Sequence, residues 1–336
     1  MFQIFDTARL YVRQFTIDDA ENFFQLNSDP DVMQYIRPVK DREECRHFLQ
    51  ENIDAYAKNP MTGRWSVHQK EDDRFVGTLA VIPLDNTDYW QIGYALLKDY
   101  WGKGYATELT ESGIRYSFHK MLLSKVTAVT EVTNHASMRV LKKAGFNQLD
   151  NFMQDGKELC FFELSNRGVV ETDRLLIAAL DNRMLHMYID NNNRLENELG
   201  LRTGDRVLSQ DLREMIDQIT VPAMREATAR DYYFYTLWMI IDKAENRLVA
   251  ELGFKGLPNE RGEIEVGYGT FPKCRGRGYM PEALAGMLGW AKNMAGIKSM
   301  TAETEQDNAA SIRVMQKANF KLINKHDTRL VWSHEV

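Results

Sequence analysis

An internal repeat constrains this chain more than any other feature of its sequence, because a repeat determines the architecture before any single element is assigned. Residues 93–146 and 267–320 align without a gap at a constant offset of 174 positions. About 18 of the 54 aligned positions are identical, against roughly one in twenty for unrelated sequences of average composition. Upstream, Thr7-Ala8-Arg9-Leu10 resembles Thr172-Asp173-Arg174-Leu175. The chain therefore contains two copies of one unit.

The boundary between the copies is predicted at the short polar stretch Ser165-Asn166-Arg167-Gly168. This places one domain in residues 1–166 and a second in residues 169–336, and 336 residues suit two domains of ordinary size. Two tandem copies can form a pseudo-dimer within one chain, so we expect a monomer.

Each copy predicts the same order of elements: a strand, polar helices, three strands, a long amphipathic helix, a strand and a last helix. Thr16, followed by Asp18 and Asp19, is a typical helix N-cap. The buried face of the second long helix is predicted at Met280, Leu284, Met287, Leu288 and Ala291. This order is typical of an α/β (α+β layered) domain with a mixed, mainly antiparallel sheet flanked by helices.

Composition excludes several functional classes. The net charge of −6 disfavours a general nucleic-acid binder, which normally presents a basic surface. No apolar run reaches the roughly 18 residues of a membrane span, and no secretion signal is visible at the N-terminus. The cysteines Cys45, Cys160 and Cys274 lack metal-ligand spacing and suit a reducing compartment. We therefore expect a cytoplasmic protein without nucleic-acid, membrane or metal partners.

The segment between the strand and the long helix is glycine-rich in both copies. It reads Trp101-Gly102-Lys103-Gly104-Tyr105-Ala106 in the first and Arg275-Gly276-Arg277-Gly278-Tyr279-Met280 in the second. Glycines allow a tight turn that points successive N–H groups into one concavity at a helix N-terminus, where phosphate is favoured. A plain strand-to-helix connection with solvated basic residues is the alternative. No Gly-Lys-Ser/Thr follows, so this is not the phosphate loop of the nucleotide-hydrolysing enzymes.

The linked motifs resemble those of the GNAT superfamily of acyl-CoA-dependent N-acetyltransferases. That family has an Arg/Gln-x-x-Gly-x-Gly/Ala loop, a downstream Asn-x-x-Ala/Ser and a Lys-x-Gly-Phe. Both loops are followed by such motifs, Asn134-His135-Ala136-Ser137 with Lys143-Ala144-Gly145-Phe146 and Asn308-Ala309-Ala310-Ser311 with Lys317-Ala318-Asn319-Phe320. The likeness is greatest to the Rim-type branch of ribosomal-protein N-terminal acetyltransferases. Trp101, Met280 and Asn319 depart from the family pattern.

The resemblance implies acetyl-CoA as the cofactor. Backbone N–H groups of Gly102 to Ala106 and Gly276 to Met280 would hold the pyrophosphate, with Lys103, Arg275 and Arg277 adding positive charge. The pantetheine arm would follow the strand edge at Leu96 and Thr270, with Asn134 and Asn308 on its other side. Each asparagine could instead cap a helix or form a turn.

The resemblance also implies where catalytic groups would lie. Glu265 is the candidate base in the second copy, with a solvent-facing or ion-paired role as the alternative, whereas Gln91 at the matching position cannot act as a base. Glu131 and Glu305 are secondary candidates with a structural alternative. Many family members use a tyrosine on the last helix as the general acid, and Leu141 and Met315 stand at the matching positions here. The resemblance to the Rim-type branch implies that Ser137 and Ser311, the serines of the Asn-x-x-Ser motifs, are the candidate acids, unless they act as helix N-caps.

The sequence thus predicts an N-acetyltransferase that transfers an acetyl group to a primary amine, with the chemistry in the C-terminal domain. The alternative is a non-catalytic acyl-CoA-binding or scaffold protein with degenerate domains. The acceptor, a small molecule or a protein N-terminus, is left open because fold does not determine substrate.

Overall fold

The computed structural model describes residues 2–85, 87–190, 192–204, 206, 208–228 and 231–336. The chain divides into two compact units, residues 1–166 and 167–336, which we call the N-terminal and C-terminal units. Each unit contains one eight-stranded sheet.

The sheet of the N-terminal unit has the strand order β1-β2-β3-β4-β5-β6-β8-β7. Neighbouring strands are antiparallel except for β5 and β6, which are parallel. The strands are β1 (Gln3–Asp6), β2 (Leu10–Arg13), β3 (Gly63–Gln69), β4 (Phe75–Pro83), β5 (Trp90–Leu96), β6 (Lys125–Glu131), β7 (Asn147–Gln154) and β8 (Lys157–Ser165). The helices are α1 (Ala20–Ser28), α2 (Pro30–Met33), α3 (Arg42–Lys58), α4 (Tyr105–Arg115) and α5 (His135–Lys143).

The sheet of the C-terminal unit repeats this order, as β9-β10-β11-β12-β13-β14-β16-β15, and again has one parallel pair, β13 with β14. Its strands are β9 (Val169–Glu171), β10 (Leu175–Ala179), β11 (Leu237–Asp242), β12 (Arg247–Phe254), β13 (Glu263–Thr270), β14 (Ser299–Glu305), β15 (Lys321–His326) and β16 (Arg329–Glu335). Its helices are α6 (Asn182–Ile189), α7 (Arg194–Glu198), α8 (Gln210–Met215), α9 (Val221–Glu226), α10 (Tyr279–Lys292) and α11 (Ala309–Lys317).

These two sheets confirm the predicted layered fold with a mixed, mainly antiparallel sheet. The amphipathic pattern of α10 is also confirmed, since Met280, Leu284, Met287 and Ala291 are buried against the sheet. Thr16 caps a short 3₁₀ turn, where it forms a capping box with Asp19. The cores contain bulky rings, Trp65 in one unit and Trp238 and Trp290 in the other, with the last two at 5.2 Å between ring centroids.

The expectation that the last helix completes each unit is wrong. A C-terminal hairpin follows it, β7–β8 in one unit and β15–β16 in the other, and its second strand pairs with β6 or β14. The outer strand is mostly exposed in β7 and fully exposed in β15, so neither carries the apolar alternation that predicts a strand. The short edge strands β1 and β9 were also absent from the predicted order.

Candidate functional sites

The parallel strands in each sheet separate, and this separation creates the site. β5 pairs with β6 only at Gln91 and Thr127, and the pairing of β13 with β14 ends at Glu265 and Thr301. Beyond these points β5 and β13 stay paired only to β4 and β12, so one edge of their backbone is open. In the N-terminal unit a cleft of about 1880 Å³ follows this opening, lined by Leu96, Trp101, Gly102, Gly104, Tyr105, Ala106, Asn134 and Ser137 among others.

The glycine loops have the geometry of an anion cradle. Gly102 and Gly104 have φ of 72° and 81°, and Gly276 and Gly278 have φ of 78° and 79°, which is the left-handed region that favours glycine. Gly104 and Gly278 are the N-caps of α4 and α10 without a side-chain cap. The helical hydrogen bonds start with the Glu108 N–H, so the backbone N–H groups before it have no helical acceptor.

The two cradles differ in their donors. The third helical residue is Thr107 in α4 but Pro281 in α10, and proline has no N–H to offer. The Met280 side chain is buried in the core, so only its backbone can face a ligand. Arg277 donates to Glu245 at 2.6 Å, whereas the Lys103 ammonium lies 5.5 Å from the Tyr100 ring.

Trp101 and Arg275 hold the loop to the end of the preceding strand in the same way. The Trp101 indole N–H donates to the Leu96 carbonyl at 2.8 Å, and the Arg275 Nε donates to the Thr270 carbonyl at 3.2 Å. These are matching positions of the repeat. The departure of Trp101 from the family pattern therefore leaves the hydrogen bond in place.

A clamp from the turn between the first two strands of each unit fixes the glycine loop, and sequence reasoning assigned no role to these turn residues. Glu108 accepts hydrogen bonds from the Thr7 hydroxyl, the Arg9 N–H and the Arg9 guanidinium, and that guanidinium also donates to the Lys103 carbonyl at 2.9 Å. Burial raises the pKa of Glu108, but these donors outweigh it, so the pKa lies below its usual value.

The C-terminal unit repeats the clamp. Glu282 accepts from the Thr172 hydroxyl at 2.6 Å and from the Arg174 Nε at 2.6 Å, and the same guanidinium donates to the Arg277 carbonyl at 3.1 Å. The pKa of Glu282 is lowered by the same balance, burial against hydrogen bonds. The short Thr-x-Arg-Leu echo in the sequence was the signal that could have revealed this clamp.

The loop tyrosines are anchored by different partners. The Tyr105 hydroxyl accepts from the Gln69 amide at 2.9 Å, and the Tyr279 hydroxyl donates to the Asp242 carboxylate at 2.6 Å. Burial raises the pKa of Asp242, but the hydrogen bonds from Tyr279 and from two backbone N–H groups together lower it by more. The pKa of Asp242 therefore lies below its usual value. Both tyrosine side chains are buried, so they anchor the start of the helix that follows each loop in the core of its unit.

The asparagines of the Asn-x-x-Ser motifs cap the last helices. The Asn134 side-chain oxygen accepts from the Ser137 N–H at 3.1 Å, and Asn308 accepts from the Ser311 N–H at 3.0 Å. Asn134 and Asn308 are the N-caps of α5 and α11, so the N-cap alternative for Ser137 and Ser311 is wrong.

Each serine hydroxyl instead contacts a tyrosine on the neighbouring strand. The Ser311 Oγ lies 2.6 Å from the Tyr268 hydroxyl, and the Ser137 Oγ lies 3.3 Å from the Tyr94 hydroxyl. Burial raises the pKa of both tyrosines, so they carry a proton at neutral pH. Sequence reasoning missed these tyrosines because they lie on the strand and not on the last helix.

The carboxylates singled out in the sequence all have cationic partners. Glu265 pairs with Lys255, and Glu131 pairs with Lys157. Glu305 lies 3.3 Å from the Arg329 Nε. The ion-paired alternative for Glu265 thus describes its contacts, although its side chain keeps 31% exposure.

Glu251 is a further carboxyl group that sequence reasoning missed. It lies on β12 opposite Gly269, on the same face of the sheet as Glu265 and Gly267. It is partly buried, its Oε2 has no hydrogen-bond partner, and burial raises the pKa of Glu251 to about 7. A side chain on Gly267 would meet nothing within 4 Å, so space is open between the two carboxyl groups.

One protein family matches both units of the chain. The sequence profile of the "Acetyltransferase (GNAT) domain" family matches residues 9–147 and 186–321, which is most of the chain. The chain belongs to the GNAT acetyltransferase family. The predicted family is therefore confirmed, once in each unit, and the protein is an N-acetyltransferase by family.

Individual relatives of this GNAT protein match about half of its chain. It is 32% identical over 152 residues to the uncharacterized N-acetyltransferase p20 of Bacillus licheniformis, covering 44% of this chain and 84% of that protein. It is 30% identical over 159 residues to the uncharacterized N-acetyltransferase YjdG of Bacillus subtilis (strain 168), covering 47% and 92%. A solved GNAT-family acetyltransferase from Bacillus anthracis is 26% identical with a TM-score of 0.44, covering 49% of this chain and 98% of that one.

Among the residues that the structure describes, no helix has the length and apolar content that crossing a bilayer requires. Within the same residues, no group of three or more His, Cys, Asp or Glu side chains is arranged to hold a metal ion.

Proposed function

We propose that this protein transfers the acetyl group of acetyl-CoA to a primary amine, and that the chemistry takes place in the C-terminal unit. The observation that carries this proposal is the placement of Glu251 and Glu265 on either side of the open space over Gly267. A primary amine is protonated in water at neutral pH. A carboxyl group at the reaction site can accept that proton and leave the amine free to attack.

Both units have a site that fits the cofactor. The left-handed glycines, the uncapped helix N-termini and the open space at Gly102 and Gly276 suit the pyrophosphate of CoA. The open strand edges ending at Leu96 and Thr270 would accept the pantetheine arm, with Asn134 and Asn308 beside it. When bound, acetyl-CoA supplies the acetyl thioester.

Two carboxyl groups share the acceptor side of the C-terminal unit, and their contacts suggest different roles. Glu265 is ion-paired with Lys255, so its charge is already neutralised. The Oε2 of Glu251 has no partner, and its pKa of about 7 suits a proton acceptor near neutral pH. We assign the proton transfer to Glu251 and an orienting role beside the amine to Glu265.

The Tyr268–Ser311 pair would supply a proton on the opposite side of β13. The two hydroxyls are in hydrogen-bond contact, and burial keeps Tyr268 protonated. We assign this pair to protonation of the departing thiolate, with Ser311 as the group next to the sulfur. Tyr94 and Ser137 are the matching pair in the N-terminal unit.

The N-terminal unit favours the second candidate function, an acyl-CoA-binding domain without catalysis. Its cradle and cleft are complete, but Thr78 and Gln91 stand at the positions of Glu251 and Glu265. Neither a hydroxyl nor an amide can accept a proton near neutral pH.

The test is release of free CoA thiol from acetyl-CoA in the presence of a panel of primary amines. Gly278→Trp should abolish turnover, because the side chain fills the cradle of the C-terminal unit, whereas Gly104→Trp should leave turnover intact. Gly296→Trp and Gly156→Trp are the controls, since both glycines also have positive φ and open space but lie outside the cradles. Turnover that survives Gly278→Trp and is lost with Gly104→Trp would overturn the assignment to the C-terminal unit.

A further inference from the structure

We propose that the N-terminal unit has a binding site for an organic carboxylate, formed by the guanidinium groups of Arg37 and Arg64 around the ring of Phe48. This inference goes beyond the proposed acetyl transfer and does not depend on it. All three residues line the cleft of the N-terminal unit.

Three cationic side chains gather on one aromatic ring. The guanidinium carbons of Arg37 and Arg64 lie 4.8 Å and 5.7 Å from the centroid of Phe48, and the Lys40 ammonium lies 5.6 Å from it. A ring face attracts one cation, but several cations on one ring repel each other. The cluster therefore has more positive charge than its aromatic partner can balance.

No anion of the protein balances this charge among the described residues. The Arg64 Nε is closed off from solvent and has no hydrogen-bond partner, and no described carboxylate is paired with Arg37 or Arg64. Two carboxylates that line the cleft have other partners, since Asp31 pairs with Lys98 at 2.7 Å and Glu131 pairs with Lys157. No described carboxylate contributes to the pKa shift of Arg37 or Arg64. Burial and the neighbouring Arg37 lower the pKa of Arg64 to about 9, so it still carries its charge at neutral pH.

The cluster lies on the acceptor side of the sheet and away from the phosphate cradle. Arg64 pairs with Ala80 on β4, and Ala80 pairs with Gly93 on β5, so the three share one face. Gly93 precedes Leu96 by three residues, which is roughly 10 Å along a strand, and the cradle begins only after Leu96. The pyrophosphate of CoA and the arginine cluster therefore occupy different ends of the cleft.

The side chains around the arginine cluster favour an organic carboxylate over other anions. A guanidinium group presents paired N–H donors that match the two oxygens of a carboxylate. The exposed apolar side chains of Ile36 and Val39, at 41% and 50% exposure, line the same cleft beside Arg37. A carboxylate with an apolar body would contact both surfaces, whereas inorganic phosphate would contact only the arginines.

The experiment is isothermal titration of benzoate into the full chain saturated with CoA, which keeps both cradles occupied. Benzamide, with the same shape and no charge, and inorganic phosphate are the comparison ligands. We expect benzoate to bind more tightly than either. Arg64→Leu is the matched variant, because Leu237 stands at this position in the C-terminal unit, and it should weaken benzoate binding about tenfold or more.

A second variant and a measurement of unfolding temperature distinguish loss of the binding site from a defect in folding. Arg37→Leu changes a residue outside every strand and helix and should weaken benzoate binding to a similar extent. Without ligand, Arg64→Leu should unfold at the same or a higher temperature than the wild type, because a charge without a partner is removed. Equal binding of benzoate and benzamide, or unchanged benzoate affinity in both variants, would overturn the proposal while leaving acetyl transfer untouched.

Discussion

The two units share the geometry of the glycine cradle and differ on the strand face where we propose that an acceptor binds. At matching positions of the sheets, Arg64 corresponds to Leu237, Thr78 to Glu251 and Gln91 to Glu265. The acceptor side is therefore cationic in the N-terminal unit and acidic in the C-terminal unit. One scaffold thus presents two opposite charges at the same place, which suits ligands of opposite charge.

The two units also differ in the size of the side chains on this strand face. Ala80 and Ala95 in the N-terminal unit correspond to Gly253 and Gly269 in the C-terminal unit. Gly269 lies against Glu251, where an added Cβ would come to 3.5 Å from its Oε1. The glycines therefore leave room beside a carboxyl group, whereas the alanines fill the same face beside a threonine.

Among the substitutions considered for the acceptor face, Glu251→Gln should lower turnover the most. We expect kcat/KM for an amine acceptor to fall about a hundredfold, in the range of a lost general base. In the wild type, kcat/KM should rise with pH and level off above about 7, the pKa of Glu251. Thr78→Val is the matched change in the other unit and should leave turnover unchanged. Full activity of Glu251→Gln would remove Glu251 from the mechanism.

Glu251→Gln should also change how the free energy of unfolding depends on pH. The pKa of Glu251 is raised from 4.5 to about 7, so the neutral form is favoured by folding and its contribution is lost as pH rises through about 7. The shift corresponds to roughly 3 to 4 kcal/mol at most. Denaturant unfolding should show the wild type losing stability relative to Glu251→Gln between about pH 4.5 and 7, the unfolded and folded pKa values of Glu251. Parallel pH profiles would contradict the burial of an ionisable group there.

The tyrosine–serine pairs of the two units should contribute unequally to turnover. Tyr268 contacts Ser311 at 2.6 Å, whereas Tyr94 and Ser137 are 3.3 Å apart. Tyr268→Phe should lower kcat about tenfold with little change in KM, because only proton donation is lost. Tyr94→Phe should leave kcat as it is. The assignment fails if the two substitutions have equal effects.

The smallest expected effect concerns the ion pair of Glu265. The Lys255 side chain is 54% exposed, so Lys255→Met should change the free energy of unfolding by less than about 1 kcal/mol. We expect Lys255→Met to lower KM for the amine, because Glu265 without its lysine partner should bind the ammonium group of the acceptor more tightly. A rise in KM would instead indicate that Lys255 contacts the acceptor.

The sequence could predict those parts of the fold that depend on local patterns or on the repeat. The order of the central strands, the long helix and the positions of both glycine loops follow from periodicity and from the offset of 174. The outer hairpin strand β15 could not be found, because all six of its residues are exposed and carry no apolar alternation.

The candidate site was predictable on the cofactor side and much less so on the acceptor side. Motif residues such as Gly104 and Asn308 are recognisable by spacing alone. Glu251 and Arg64 stand out only when the pairing of distant strands shows what lies beside them, since neither belongs to a motif. The absence of a partner for a charged group is a property of three-dimensional contacts.

The clamp on the glycine loop also has a consequence for the order of events during synthesis. Thr7 and Glu108 are 101 positions apart, and Thr172 and Glu282 are 110 apart, so each loop is secured by contacts that close a long segment of chain. Such contacts form late because closing a long loop costs entropy first. Each clamp lies within its own unit, so the N-terminal half can complete its cofactor cradle while the C-terminal half is still being translated.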